Sequence, residues 1–129
     1  MSLDLTPRAV VERFVATSAR GAYDELADFY AEDAIIEMPF APSEIPRVSQ
    51  GRELFRTRFK SVEGRWTIDA IDPLVIHETA NPEVVIAEFT IHRTIAATAE
   101  KQSGDYIMVM TIRDGLIIYS RDYANPQIG

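Results

Sequence analysis

The sequence contains no cysteine, so it has no disulfide framework and no thiolate to act as nucleophile or metal ligand. That suits a reducing compartment, and a cytoplasmic location is the expectation. Positive charge is also scarce: 13 Lys and Arg against 20 Asp and Glu leave a formal net charge of -7. Binding along nucleic-acid phosphates needs a concentrated basic surface, whereas the basic residues here are scattered, so no nucleic-acid partner is expected. No apolar run is long enough to cross a bilayer, and the start from Met1 to Pro7 lacks the basic and apolar regions of a signal peptide. No membrane association is expected. The two histidines, His77 and His92, have no close ligand partners in sequence, so neither a metal nor another cofactor is expected.

What the 129 residues do contain is a balance of apolar and charged side chains that suits one domain, 1–129, with a single core and room for one enclosed pocket. Thr6 and Pro7 form an N-cap and first-turn signal, and Val10, Val11, Phe14, Val15 and Ser18 follow at helical spacing up to about Gly21. Tyr23, Leu26, Ala27 and Tyr30 predict a second short helix. The run from Ala34 to Met38 predicts a strand stopped by Pro39. Pro39 to Gln50 carries three prolines and reads as a loop, and Leu54, Phe55, Phe59 and Val62 mark a third helix from about Gly51. Beyond Gly64 the period becomes two. Strands are expected from Trp66 to Ile71, Leu74 to His77, Val84 to Ile95, Tyr106 to Ile112 and Leu116 to Tyr123, separated by Asn-Pro, Ser-Gly and Asp-Gly punctuation. Three helices followed by a segregated, strongly curved and mostly antiparallel sheet predict an α+β domain with the helices over one sheet face.

The last strand carries the leading chemical candidate. Asp114-Gly115 is a hairpin signal, so alternation puts Ile118, Ser120 and Asp122 on one face and Tyr119, Arg121 and Tyr123 on the other. A carboxylate on an apolar sheet face loses hydration, which raises its pKa and suits it to proton transfer near neutrality. The competing reading is a strand-end Asp wetted by solvent or paired with a surface Arg.

Three stretches, in order, resemble the SnoaL-like or nuclear transport factor 2-like superfamily: Val10-Val11-Glu12-Arg13-Phe14, Phe29-Tyr30-Ala31-Glu32-Asp33-Ala34, and Gly115 through Arg121-Asp122-Tyr123. The resemblance implies a cystatin-like cone and covers nearly the whole chain. Because that fold hosts unrelated chemistries, the pocket residues decide function. Against the ketosteroid isomerases of the superfamily, the oxyanion-hole tyrosine falls at Phe14, the general base at Met38 and the protonated aspartate near Met108. Steroid isomerisation would lose its base and its donors, and is not expected. The limonene epoxide hydrolase pattern Gly-x-Ile-x-x-x-Arg-Asp-Tyr matches at Gly115, Ile117, Arg121, Asp122 and Tyr123, but that family's other catalytic positions fall at Phe89, Ile91, Ile35 and Glu37, so epoxide hydrolysis is not expected either. The phenazine-biosynthesis A/B proteins end in Arg-Glu-Phe-x-Asn, which Arg121-Asp122-Tyr123-Ala124-Asn125 resembles, while their histidine falls at Arg58. The superfamily's polyketide cyclases use one pocket aspartate for proton transfer, and Asp122 is the residue that comparison implies.

The superfamily register turns Val85, Ala87, Phe89 and Ile91 inward, and Tyr106, Met108, Met110 and Ile112 share a face. The implied cavity wall is Phe14, Trp66, Phe89, Ile91, Met108 and Met110, suited to an apolar or aromatic ligand, with Tyr106, Ser120 and Arg58 orienting it. A closed, filled core is the alternative. At 100° per residue Arg58 falls inside the apolar arc of its helix, pointing into the cavity or snorkelling to its rim. Glu37 is a second candidate acid, against the ordinary reading of a solvated strand Glu. Two functions follow: a cofactor-independent enzyme in which Asp122 moves a proton during cyclisation, isomerisation, condensation or dehydration of an apolar carbonyl compound, or a non-catalytic ligand-binding or dimerisation domain. A homodimer is expected through the outer sheet face, at Ile86, Thr90, His92, Tyr119 and Tyr123.

Overall fold

The computed structural model describes residues 4–124. Its first helix, α1 (Pro7–Ala19), begins as the capping signal indicates: the Thr6 hydroxyl accepts from the Ala9 amide at 3.4 Å, and Pro7 occupies the first turn. The helix stops at Gly21, whose φ of 70° a side chain would disfavour. Its buried face is Val10, Val11, Phe14 and Val15, with Thr17. The second helix is shorter than its apolar spacing suggests. α2 (Tyr23–Leu26) gives way to a 3₁₀ turn at Ala27–Phe29, and Tyr30 already belongs to the first strand, β1 (Tyr30–Glu37). Tyr30 is buried in either conformation, so its apolar spacing did not separate helix from strand; its pairing with Ile117 does.

The proline-rich segment read as a loop contains a short edge strand, β2 (Val48–Gln50), antiparallel to β1 with Glu37 opposite Val48. It follows Pro46, as suits an edge where a missing N–H is tolerated. The third helix, α3 (Arg52–Ser61), buries Phe55. Four long strands complete the sheet: β3 (Trp66–Glu78), β4 (Val84–Ile95), β5 (Lys101–Arg113) and β6 (Leu116–Ala124). The two segments expected on either side of Asp72-Pro73 form one strand, β3, because its ladder with β4 shifts between Ile71 and Leu74 and then resumes. Ser103-Gly104, read as a turn, lies inside β5 opposite His92 and Ile91. The chain instead reverses between Ile95 and Glu100, where Ala99 takes a φ of 60°. Asp114-Gly115 is the tight turn expected, with φ of 53° and 80°.

The sheet order is β2-β1-β6-β5-β4-β3; β1 and β6 run parallel and every other pair is antiparallel. It is therefore a mixed, open sheet with three helices packed on it, the α+β class expected. The α1 face joins Val85, Ala87, Met110, Ile112 and Ile117 in one core. One bulge adjusts the face assignments made for β6: Ile112 pairs with Ile117 but Thr111 with Tyr119, so an extra residue intervenes. Ile117, not Ile118, takes the fully buried place, while Ser120 and Asp122 keep theirs opposite Met110 and Met108.

Candidate functional site

Where α1, α2 and α3 lie over the sheet, the core leaves a cavity of about 200 Å³. Phe14, Val15 and Ser18 line it from α1, Leu26 and Phe59 from the other helices, and Tyr30, Ile36, Ile71, Phe89, Ile91, Tyr106, Met108 and Asp122 from the strands. Each strand residue among these is there because period-two alternation turns it toward the helices. A surface hollow near the exposed Arg8–Glu78 ion pair is larger, about 390 Å³, but contains no buried ionisable group. The smaller cavity contains the chemistry.

Among the described residues Asp122 is its single carboxylate. Surface area makes the residue half-buried because the cavity reaches it, yet the surrounding protein removes most of its hydration. Desolvation pushes its pKa up to about 6, opposed by a hydrogen bond from Ser120. Ser120 is fully buried two residues earlier on the same face, and its hydroxyl donates to Asp122 Oδ1. Among the described residues no basic side chain counters the burial. A carboxyl group that titrates near 6 is populated in both forms at neutral pH, so it can accept and return a proton.

Two phenols share the cavity. Tyr30 is 1 % exposed; its ring meets Phe14 edge-on at 5.9 Å and Phe55 at 5.1 Å. Burial, and secondarily the charge of Asp122, hold its pKa well above the usual range, so it stays a neutral O–H donor. Tyr106 stacks on Phe89 at 5.6 Å with the rings 13° apart; burial raises its pKa and the Arg93 charge opposes this.

Phe14, Phe89, Ile91, Tyr106, Met108 and Asp122 thus meet around one space, with Ser120 directly behind the acid. The other candidates lie elsewhere. Met110 is wholly buried in the core without lining the cavity. Trp66 stands under Arg93, whose guanidinium carbon is 4.3 Å from the ring centre. Arg58 donates to the Ser49 hydroxyl of β2, tying α3 to the sheet edge, and makes no ion pair with Asp122. Glu37 alternates to the outer face from Ile36 and accepts from Arg121 at 3.0 Å and Tyr119 at 3.2 Å. His77 pairs with Glu88 at 2.5 Å and His92 with Ser103 at 2.7 Å. The described residues contain no cluster of three or more His, Asp or Glu side chains able to hold a metal, and no described helix is long and apolar enough to cross a membrane.

Two residues escaped the sequence reading. Tyr30, at helical spacing in the sequence, begins β1. Arg93, which is buried, bonds Gln102 at 3.2 Å and continues the inward series Val85, Ala87, Phe89, Ile91, so alternation alone would have found it.

Three helices over an open, mixed six-stranded sheet form an α+β architecture that hosts small-molecule enzymes and binding proteins. The chain belongs to the SnoaL-like domain family, whose profile matches residues 11–120. It is 30 % identical over 99 residues to a PhzA/B-like protein of Pseudomonas aeruginosa, covering 77 % of this chain and 70 % of that one. Among solved structures it is similar to a candidate isomerase of Bacillus subtilis, with a TM-score of 0.86 and 25 % identity over 92 % of this chain and 86 % of the other. A candidate polyketide cyclase of Xanthomonas campestris shares the fold at a TM-score of 0.79 and 19 % identity, covering 95 % of this chain and 92 % of its own. The order-based likeness to the phenazine and cyclase relatives is thereby accounted for; Asn125 of the C-terminal motif lies outside the described residues.

Proposed function

We propose that this protein is a cofactor-independent enzyme in which Asp122 transfers a proton on a small, apolar carbonyl compound. The observation that carries this reading is a carboxyl group with a pKa near 6 facing an apolar cavity, with no cation among the described residues to hold it ionised. As a carboxylate it removes a proton from the carbon beside a carbonyl group; the resulting acid returns that proton to another position of the enolate. Returned to carbon, the proton completes an isomerisation; given to the oxygen of a second carbonyl as the enolate carbon attacks it, a cyclisation or condensation; given to a β-hydroxyl as it leaves as water, a dehydration. Family membership and the likeness to a candidate isomerase and a candidate polyketide cyclase support the class.

The test is solvent deuterium uptake into small aromatic ketones, followed by NMR. The protein should accelerate exchange at the carbon next to the carbonyl, and Asp122→Asn should slow it by roughly 100-fold or more while leaving the circular dichroism spectrum unchanged. Exchange at the wild-type rate in the Asn variant would overturn the reading. Ketone binding without exchange in either protein would establish the ligand-binding domain instead.

The functional unit we propose is a homodimer joined through the outer sheet face. Val75, Glu88, Ile107 and Tyr123 lie side by side across four strands there, and Val75 and Ile107 are 45 % and 41 % exposed. Sedimentation at about 20 µM should give twice the chain mass, the behaviour of a standard-sized interface; a Val75→Lys, Ile107→Lys double variant should be monomeric. A wild-type monomer at that concentration overturns the proposal.

A further inference from the structure

The cavity contains a donor that no described residue uses. An apolar cavity of about 150 Å³ accepts benzene; this one, at about 200 Å³, has room for one ring and a short side chain. Of its polar groups, Ser18 already donates to the Phe14 carbonyl at 3.0 Å, and one oxygen of Asp122 is taken by Ser120. Tyr30 is different. Its ring meets Phe14 and Phe55 edge-on, so the hydroxyl has little freedom to move, yet it makes no hydrogen bond to any described residue. It lines the same space as the carboxyl. Among the described residues no fully buried side-chain polar atom lacks a partner, so the unpartnered hydroxyl opens onto the cavity, where a ligand oxygen can accept from it.

We propose that Tyr30 is the hydrogen-bond donor for the carbonyl oxygen of a one-ring ligand, holding the carbon next to that carbonyl beside Asp122. The inference names the substrate class for the proton-transfer reading and rests on it. The two groups divide the work: Asp122 accepts the proton from carbon, the C–H electron pair becomes the enolate π bond, and the developing charge on oxygen falls against the Tyr30 O–H. Because the phenol stays neutral across the working pH range, it donates whether Asp122 is protonated or not. Tyr106 is the other phenol on the wall, but it also borders a surface hollow beside Glu88 and Ile107.

The experiment compares acetophenone with α-methylstyrene, which has the same shape but a CH₂ group in place of the carbonyl oxygen. Binding is measured at pH 8, where Asp122 is ionised and cannot donate. Wild type should bind acetophenone about tenfold more tightly, the scale of one hydrogen bond, and Tyr30→Phe should abolish that preference without weakening α-methylstyrene. The infrared carbonyl stretch of bound acetophenone should fall in wild type and revert in Tyr30→Phe, a change that altered packing alone would not produce. No preference in wild type, an unshifted stretch, or a preference that survives Tyr30→Phe but disappears in Tyr106→Phe would each overturn the proposal. Wild-type measurements suffice for the first two should the Phe variant fail to fold. These readouts concern binding, so they fail independently of deuterium exchange, which tests Asp122.

Discussion

Arg121 and Asp122 are sequence neighbours on one strand, yet they belong to different environments. On the outer face Arg121 meets Glu37 at 3.0 Å with Tyr119 beside both, and each charge is partnered and wet. On the inner face, among the described residues, Asp122 meets a serine hydroxyl and an apolar cavity. The alternation of the strand produces this separation, because the nearest basic side chain in sequence must point away. A paired surface carboxylate costs little to ionise and offers little chemistry, whereas a desolvated one is destabilising in its charged form and poised to exchange a proton.

The largest effect that would break the comparison is on stability. Asp122 has its pKa raised from 3.8 to about 6 on folding, so between those values the native state binds more protons than the unfolded chain. Stability from this group is therefore fully present below about pH 4 and lost as pH rises through 6. At about 1.4 kcal/mol per unit, the total is at most about 3 kcal/mol. Asp122→Asn should remove this dependence, leaving the variant more stable than wild type in urea titrations at pH 8 and nearly equal at pH 4. A variant less stable at pH 8 would mean that the carboxylate is not desolvated.

This contrast was legible in the sequence, and the reasons are specific. Alternation across the Asp-Gly hairpin placed Ser120 and Asp122 together and Arg121 opposite, despite a bulge at Ile118, because that irregularity lies upstream of both. The helices and most strands followed from periodicity, while the resemblance to the superfamily supplied which face of β4, with Phe89 and Ile91, turns inward. Tyr30 did not, since spacings of three and four residues among Tyr23, Leu26, Ala27 and Tyr30 fit a helix as well as a turn leading into a strand. Arg58 illustrates a different limit: a helical wheel shows which side of α3 faces the sheet, but not that this part of the helix overlies β2 and Ser49, away from the cavity. β2 itself is three residues long and holds no periodic signal.

A smaller effect sharpens the inner half of the comparison. The Ser120 hydrogen bond lowers the pKa of Asp122 against the push of burial, so Ser120→Ala should move that pKa further up. Carbon-detected NMR of the Asp122 carboxyl would follow it directly. The hydroxyl donates to a charged acceptor above pH 7, where its loss should cost roughly 1.5–3 kcal/mol, with less cost at pH 4 where the acid is neutral. An unchanged or lowered pKa would mean that the hydroxyl favours the protonated form.

The smallest expected effect tests whether the two faces are electrically independent. Glu37→Gln removes the outer acid, and Arg58→Leu removes the cation that ties α3 to β2; neither side chain reaches Asp122. The Glu37–Arg121 pair is solvent-accessible on both sides, so mobile ions and water screen its field before it crosses the sheet. Arg58 acts through Ser49, and its replacement should loosen the attachment of α3 to β2 without changing the acid. In both variants the Asp122 titration should superimpose on that of wild type, also at low ionic strength, where any long-range coupling is greatest. A rise in the pKa of Asp122 in Arg58→Leu would reveal an internal ion pair and make Arg58 the better candidate for contacting an anionic ligand. A fall in Glu37→Gln would show that the outer carboxylate had been raising that pKa through the sheet, and the two faces would then have to be treated as one titrating system.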